Sequence, residues 1–420
     1  MNTSPRAISD GSNAWRSHGC PRHLVYLLKQ SPNERDAERF GINAALARGF
    51  QITILDLQAL ILPDVCALHS DWEPASGVVV RHISSWREFR SVQSIISNAD
   101  LVISTVRAFG LCARSFLVFR MLARTQTPYL TFAPLVDPIF ADRKLGRTFL
   151  RRAFAAVREF QLNDLAASIL SRVPFSILGL SQAEYFVVNG RASLSQNQML
   201  GSKSTVIKAH AHDYDIALNT VNKMPVERNQ AVFLDQDLLF HPDFVAAGIT
   251  PMEPAKYLDA LNAAFEKIEK TLGLEIVIAA HPRSEPERTR RLFGSRRVVF
   301  GESARTVAES RLVLTHYSRS SNFAVLMNKP IRFLVGRELY DWISWLPSYI
   351  ENLSKALGTE PLFYDDLDSM CLDQSFVYDA AAYAKYTENF IKSPNSPRKP
   401  YWNIVLDQIE ADFGVADQSS

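Results

Sequence analysis

Three stretches decide the fold of this chain: AVFLDQD at residues 231–237, IVIAAHPRS at 276–284 and LVLTHYSRSSN at 312–322. Each begins with an apolar run of strand length and then changes to polar residues that can carry chemistry. In a parallel α/β sheet, the loops that leave the carboxyl ends of the strands gather along one edge, and ligands bind there. The three stretches therefore predict one ligand site built from three loops.

Apolar runs alternate with helical patterns on both sides of these stretches. A helix that starts near Pro254 and ends at Gly273 separates the first two strands of the second half. The first half opens in the same way, with strands over 24–28 and 51–55 around a helical pattern over 34–48. This alternation predicts the α/β class, with two Rossmann-like, doubly wound domains that face a central cleft.

A length of 420 residues also favours two domains of ordinary size. A proline-broken connector precedes the last apolar stripe, so the terminal helix is expected to cross back onto the first domain. The predicted division is a disordered tail over 1–20, an N-terminal domain over 21–220 with a basic helical insert over 138–172, a C-terminal domain over 221–390, and a connector and terminal helix over 391–420.

The composition excludes several classes of protein. Hydrophobic residues make up 47% and charged residues 21%, as in soluble globular chains, and the net charge of +2 offers no basic surface for nucleic acid. The four cysteines are scattered without a CxxC pair, which favours free thiols in a reducing compartment. The first 20 residues lack the apolar core of a signal peptide, and no apolar run reaches the roughly 20 residues of a spanning helix. We therefore expect a cytoplasmic protein.

The basic insert over 138–172 interleaves arginines, such as Arg151, with apolar residues. Such an amphipathic pattern can lie on an anionic membrane surface, which predicts peripheral contact with the inner face of the cell membrane. The more frequent alternative is an exposed basic face that packs on its own domain.

Polar residues also cluster in the first half. No GxGxxG follows the first strand, so a dinucleotide cofactor is not expected. Glu34, Arg35 and Asp36 follow that strand, and His212 and Asp213 follow another at the domain junction. They are candidates for acceptor binding in the cleft. The alternatives are a charged first helical turn in one case and a capped hinge in the other.

The three decisive stretches supply the groups that a group-transfer enzyme needs. Asp235 or Asp237 at a strand end could take a proton, with the other expected to cap the loop. His281, fixed by the following Pro282, and Arg283 could bind phosphate oxygens. The third loop could bind phosphate through free backbone amides and hydroxyls at a helix start. Its candidate nucleotide-binding residues are His316, Ser318, Ser320, Ser321 and Asn322. A Mg²⁺ site on Asp235 and Asp237 ranks second to a site without metal.

The order of an acidic motif, a His-Pro motif and a serine-rich motif before a helix resembles bacterial glycosyltransferases of the GT-B type, above all sialyltransferases and polysialyltransferases. The resemblance implies that Asp235 or Asp237 is the catalytic base, that His281 meets CMP and the leaving group, and that Ser320 and Ser321 bind phosphate. The acidic motif of that family typically ends in glycine, whereas here it is followed by Leu238.

The chain is also similar to uncharacterised proteins encoded in bacterial capsule and O-antigen loci. That similarity lies in the segments 33–36, 213–215, 234–242 and 279–284. Together the resemblances imply a metal-independent, inverting glycosyltransferase with an acceptor domain first and a nucleotide-sugar domain second. A CMP-sugar donor is favoured, the acceptor is a growing surface polysaccharide or lipopolysaccharide, free or lipid-linked, and no cofactor is expected. The alternatives are a sugar-nucleotide epimerase of the same fold and a non-catalytic polysaccharide assembly protein.

Overall fold

The computed structural model describes residues 23–62, 72–106, 114–133, 173–194, 198–240, 252–368 and 370–413. The strands of the first sheet are β1 (His23–Leu28), β2 (Gln51–Asp56), β3 (Val78–His82), β4 (Leu101–Ser104), β5 (Tyr129–Phe132), β6 (Tyr185–Val188) and β7 (Thr205–Lys208). The strands of the second sheet are β8 (Gln230–Leu234), β9 (Glu275–Ala279), β10 (Val298–Val299), β11 (Leu312–Thr315), β12 (Ile331–Val335) and β13 (Leu362–Phe363).

Helices connect these strands. Those of the first half are α1 (Glu34–Arg39), α2 (Ile42–Ala47), α3 (Gln58–Ile61), α4 (Trp86–Ser91), α5 (Gln93–Ser97), α6 (Arg114–Thr125) and α7 (Phe175–Leu178), with a 3-10 turn over Arg191–Leu194. Those of the second half are α8 (His212–Val221), α9 (Pro254–Leu272), α10 (Pro286–Leu292), α11 (Ser303–Glu309), α12 (Ser321–Leu326), α13 (Arg337–Trp342), α14 (Leu346–Leu357), α15 (Ala380–Tyr386) and α16 (Tyr401–Asp412), with a π-helical turn over Thr387–Ile391.

Both sheets have the same winding. The order of the first is β3-β2-β1-β4-β5-β6-β7, the order of the second is β10-β9-β8-β11-β12-β13, and neighbouring strands pair in parallel. The winding direction therefore reverses between β1 and β4 and again between β8 and β11, which are the positions where ligands bind in such sheets. The predicted α/β class with two doubly wound sheets is confirmed.

The central strands are mostly apolar because helices cover both of their faces. All of β8, from Gln230 to Leu234, is buried, and β1 is buried from Leu24 to Leu28. The first sheet separates two apolar layers, and a single large cluster surrounds the second sheet.

Local signals set both ends of α9. Pro254 occupies its first turn, and Gly273 ends it with a left-handed φ of 64°. Both ends were predicted from those two residues. The expectation of one helix over 34–48 is wrong, because the chain breaks at Gly41, where φ is 68°. A Cβ atom at Gly41 would lie 2.0 Å from Cδ2 of Trp402, so the packing of α16 demands glycine here.

The terminal helix α16 crosses back onto the first domain, as predicted. The indole Nε1 of Trp402 donates to the carbonyl of Arg39 at 2.9 Å, and Arg48 binds the carboxylates of Asp407 and Glu410. Seven side chains of this segment are buried against the first sheet: Tyr401, Trp402, Ile404, Val405, Leu406, Ile409 and Phe413.

Several expectations concern residues outside this description, namely the tail over 1–20, the basic insert over 138–172 and the end over 414–420. The domain boundaries stay predictions. The helix α8 follows β7 and precedes β8 in the chain, and its Ala217 packs in the apolar cluster of the second sheet. Of the four cysteines, Cys371 is described, as an exposed free thiol. Among the described helices, none has both the length and the apolar character required to cross a membrane.

Candidate active site

The three polar clusters lie together at the carboxyl edge of the second sheet, because β8 lies between β9 and β11. The amide of Tyr317 donates to Oε1 of Gln236 at 2.9 Å, which joins the loop after β11 to the loop after β8. The amide of Asp235 donates to the carbonyl of Ala279 at 3.0 Å, which joins β8 to β9. The strand ends thus converge where the winding reverses, as predicted.

Asp237 is held as a paired carboxylate. Both of its oxygens accept from Nη2 of Arg288, at 3.2 and 2.9 Å, and the guanidinium lies over the ring of Phe240 at 4.1 Å. Its φ of 51° is a left-handed conformation that non-glycine residues rarely adopt. These contacts give Asp237 a structural role in the loop.

Sequence reasoning missed Arg288, because its position depends on where α10 begins. Glu285 caps that helix by accepting from the amides of Glu287 and Arg288 at 2.9 and 2.6 Å, and Pro286 follows the cap. A capping residue before proline is a helix-start signal that the sequence contains. Because α10 begins at Pro286, Arg288 in its first turn lies within hydrogen-bond distance of Asp237.

Asp235 lies in a different environment. It is buried, and its Oδ1 accepts from the amide of Asp237 at 3.2 Å. Burial raises the pKa of Asp235 to about 7, the charge of Asp237 acts in the same direction, and backbone hydrogen bonds and Arg288 oppose the rise. A carboxyl group with a pKa near neutrality can accept and release a proton at physiological pH.

His316 is enclosed and uses both ring nitrogens within the protein. The carbonyl of Leu334 can only accept, so Nδ1 of His316 carries the proton and donates to it. Nε2 therefore accepts from the hydroxyl of Tyr257 at 2.8 Å, and burial holds the pKa of that hydroxyl well above its usual value. Burial also lowers the pKa of His316 to about 4, which keeps the ring neutral. These bonds join α9, β11 and β12, while contact of His316 with a nucleotide stays a prediction.

The serine-rich loop differs from the expectation of free amides. The amide of Ser318 donates to Oγ1 of Thr315, that of Ser320 to Oγ of Ser318, and that of Ser321 to the carbonyl of Ser318. Ser320 stands at the cap position of α12 without a side-chain capping bond. Because the turn consumes these amides, an anion here would meet side chains such as the exposed Arg319.

His281 and Arg283 form a turn before α10. The amide of Arg283 donates to Nδ1 of His281 at 3.3 Å, and the amide of Ser284 donates to the carbonyl of His281 at 2.9 Å. This arrangement leaves the proton of the neutral imidazole on Nε2, which is then a donor. The side chain of Arg283 is exposed at the same edge.

The loop after β1 faces the loop after β9. Asn33 caps α1 by accepting from the amide of Asp36 at 2.9 Å, which is the capping alternative considered above. Burial raises the pKa of Asp36, and Arg39, Arg35 and Arg283 oppose the rise. Since Arg283 belongs to the second domain, its effect on Asp36 indicates that the loop after β9 lies near α1. Glu34 is exposed on the same helix.

The start of α8 contacts the second domain directly. Oδ2 of Asp213 accepts from Nδ2 of Asn322 at 2.8 Å. Burial raises the pKa of Asp213, an effect that Asn322, His212, Arg39 and Arg319 oppose, and burial lowers the pKa of His212. The predicted acceptor residues His212 and Asp213 thus lie beside the predicted nucleotide-binding residue Asn322.

A second polar cluster, at the carboxyl edge of the first sheet, was missed. The buried carboxylate of Asp56 accepts from Oγ of Ser31 at 2.6 Å and from the amide of Gln58 at 3.0 Å. Nδ1 of His82 lies 2.8 Å from the same carboxylate. Ser31, Asp56 and His82 are far apart in sequence, each at the end of a different strand or in the loop after it. Only the pairing of β1, β2 and β3 brings them together.

Among the described residues, no group of three or more histidine, cysteine, aspartate or glutamate side chains is arranged to hold a metal ion. Both oxygens of Asp237 accept hydrogen bonds from Arg288.

No protein-family model matches the sequence, and a search of curated proteins gives no match. Solved structures share the architecture. The wall teichoic acid polymerase TagF is 13% identical, with 95% of this chain and 90% of that chain covered and a TM-score of 0.52. A putative UDP-N-acetylglucosamine 2-epimerase from Listeria monocytogenes is 14% identical, with 96% and 99% covered and a TM-score of 0.50. The likeness shows the fold, which is the two-domain GT-B type.

Proposed function

We propose that the protein is a glycosyltransferase that moves a sugar from a nucleotide-sugar donor, with a CMP-sugar favoured, to a growing surface polysaccharide or lipopolysaccharide. The observation that carries the proposal is Asp235, a buried carboxyl group with a pKa of about 7 where the winding of the second sheet reverses. The GT-B fold supports it, since a cleft between two such domains suits a donor on one side and an acceptor on the other.

Asp235 serves as the general base. It takes the proton from the acceptor hydroxyl while the hydroxyl oxygen attacks the anomeric carbon, and the bond from that carbon to the phosphate oxygen of the donor breaks. A single displacement of this kind inverts the anomeric centre. The pKa near neutrality suits this task, because a base must be unprotonated before the reaction and basic enough during it. Asp237 remains paired with Arg288 throughout.

The departing phosphate is stabilised by groups on the loops after β9 and β11. The Nε2–H group of His281 and the guanidinium groups of Arg283 and Arg319 supply donors and positive charge. Ser318, Ser320 and Ser321 add hydroxyl groups on the same loop. Arginines of both domains border the cleft here, because Arg35, Arg39 and Arg283 favour the ionised form of Asp36, and Arg39 and Arg319 favour that of Asp213. This positive charge is the reason that we propose transfer without a metal ion.

The first domain holds the acceptor. Arg35 and Asp36 lie on the first-domain side of the cleft, and His212 and Asp213 lie at the start of α8, beside Asn322 of the second domain. Contact with the inner face of the membrane, through the basic insert over 138–172, would bring the protein to a lipid-linked acceptor. Sedimentation with anionic vesicles tests this part of the proposal, and a protein that stays in solution contradicts it.

The central experiment measures transfer by the purified protein from CMP-, UDP- and GDP-sugars to oligosaccharide acceptors. Asp235→Asn should lower kcat roughly 100-fold or more, in the range of a lost general base. The exposed Asp373→Asn is the matched control and should retain full activity. Full activity of Asp235→Asn would contradict the mechanism.

A second candidate function is sugar-nucleotide epimerisation, which the fold shared with the Listeria monocytogenes protein also suits. Incubation with a sugar nucleotide and no acceptor separates the two, because only an epimerase would change the sugar. A non-catalytic assembly protein would give no calorimetric heat with CMP, UDP or GDP.

A further inference from the structure

Three aromatic rings cluster beside the candidate active site. The ring centroid of Tyr317 lies 5.3 Å from that of Trp345 and 6.1 Å from that of Tyr349, and Trp345 and Tyr349 are 5.6 Å apart. All three pairs meet edge to face, with interplanar angles of 72–80°. Trp345 keeps 47% of its surface in solvent, whereas Tyr349 is buried.

The position of this aromatic cluster links it to the transfer site. Tyr317 lies between His316 and Ser318 in the loop after β11, and its amide is bonded to Gln236 in the loop that carries Asp235. Trp345 immediately precedes α14, which follows β12 and α13. The exposed indole therefore borders the region where the phosphate of the donor is proposed to bind.

The buried side of α14 and two neighbouring tyrosine rings hold the indole of Trp345 in place. Leu346, Ile350 and Leu353 bury the inner side of α14 in the apolar cluster of the second sheet. Tyr349 on the same helix and Tyr317 on the neighbouring loop contact the ring of Trp345 from two directions. An exposed tryptophan ring gives up apolar contact with the core. Because this ring is already held in one position, it loses little conformational entropy when a planar ligand stacks on it.

We infer that Trp345, supported by Tyr317 and Tyr349, stacks against the base of the donor nucleotide. This inference rests on the proposed function and names its base-binding subsite. A nucleobase presents a planar π-face that pairs well with an aromatic side chain. The phosphate groups of the same nucleotide then reach the loop of Ser318 and Arg319, which follows Tyr317 directly in the chain.

Calorimetric titration with CMP, UDP and GDP, and separately with ribose 5-phosphate, tests the inference. Trp345→Ala should weaken binding of the preferred nucleotide about tenfold, the range for a lost base–aromatic stack, and leave ribose 5-phosphate unchanged. Trp345→Phe should restore most of the nucleotide affinity. Phe376→Ala is the matched control: it removes an exposed aromatic ring that packs on Arg311, at the opposite edge of the same sheet, and should change neither titration.

The outcomes separate this inference from the proposed function. Unchanged nucleotide affinity in Trp345→Ala, with normal thermal unfolding, overturns base stacking and leaves the transferase proposal intact. An equal loss for ribose 5-phosphate also overturns it, because the tryptophan would then contact sugar or phosphate or support the loop. If the unaltered protein binds none of the three nucleotides, both proposals fail.

Discussion

At the scale of single residues, Asp235 and Asp237 show how one contact separates two equivalent candidates. They stand two positions apart at the same strand end, so sequence alone left either as the base. Arg288 pairs with Asp237 and leaves Asp235 buried with its pKa raised to about 7. The deciding residue lies in α10, 51 positions after Asp237, so spacing could not reveal it.

The raised pKa of Asp235 predicts how transfer depends on pH. The base must be ionised, so kcat/KM should fall tenfold per pH unit below about pH 7 and level off above it. A pH profile from 5 to 9 with the preferred donor measures this. In Asp237→Asn, kcat/KM should still rise with pH on the acid side. The rise should occur at lower pH, because the charge of Asp237 no longer raises the pKa of Asp235. A flat acid side in the unaltered protein contradicts the assignment of Asp235.

The same carboxyl group predicts a pH dependence of stability. The pKa of Asp235 is higher in the folded than in the unfolded chain, so the folded state binds more protons between pH 4 and 7. The free energy of unfolding should therefore decrease as the pH rises across this window. Asp235→Asn removes this dependence and should unfold at a higher temperature than the unaltered protein at pH 8. Thermal unfolding of both proteins at pH 5 and pH 8 checks the prediction, and equal shifts in the two would refute it.

At the scale of elements, the break between α1 and α2 tests how a distant helix sets local structure. Gly41→Ala would place a Cβ atom against Trp402 and force a left-handed conformation on alanine. We expect it to lower the free energy of unfolding of the first domain by about 3 kcal/mol, the sum of backbone strain and overpacking.

Gly49→Ala is the matched control for that change. Gly49 has a left-handed φ of 84° but no atom within 4 Å of its added Cβ. It should cost about 1 kcal/mol, from the backbone alone. Urea denaturation measures both variants, and equal losses would show that Trp402 does not set the break.

Elements with local end signals could be predicted from sequence, and elements that depend on distant contacts could not. Pro254 and Gly273 set both ends of α9 within the helix itself. The break at Gly41 depends on a side chain 361 positions away, and the cluster of Asp56 and His82 depends on strand pairing. The sequence also contains a signal that predicts α14. Its apolar residues recur with helical period, at Leu346, Tyr349, Ile350, Leu353 and Leu357.

At the scale of the whole molecule, the first domain is built from both ends of the chain. Each of the seven side chains that the terminal segment buries stabilises by roughly 1.5–3 kcal/mol. Their sum rivals the roughly 5–15 kcal/mol by which a whole domain is stable. A chain that ends at residue 392 should therefore lose the cooperative unfolding transition of its first domain.

Thermal unfolding and limited proteolysis check this truncation. A chain that ends at residue 413 keeps the buried segment and is the control, with stability close to that of the full protein. A peptide spanning 393–413, added to the shorter chain, should restore protection of the first domain. If the shorter chain unfolds like the control, the terminal helix is dispensable for that domain.

Because α16 packs on the first sheet, it also determines the order in which the two domains can complete their cores during translation. A ribosome releases residues 23–208 first, but the core that they form stays incomplete until Tyr401 to Phe413 have left the exit tunnel. At roughly 5–20 residues per second, the first sheet waits about ten seconds or more for its last helix. The second sheet, whose strands end at Phe363, is complete before then. The first domain thus begins to leave the ribosome before the second domain and completes its core after it.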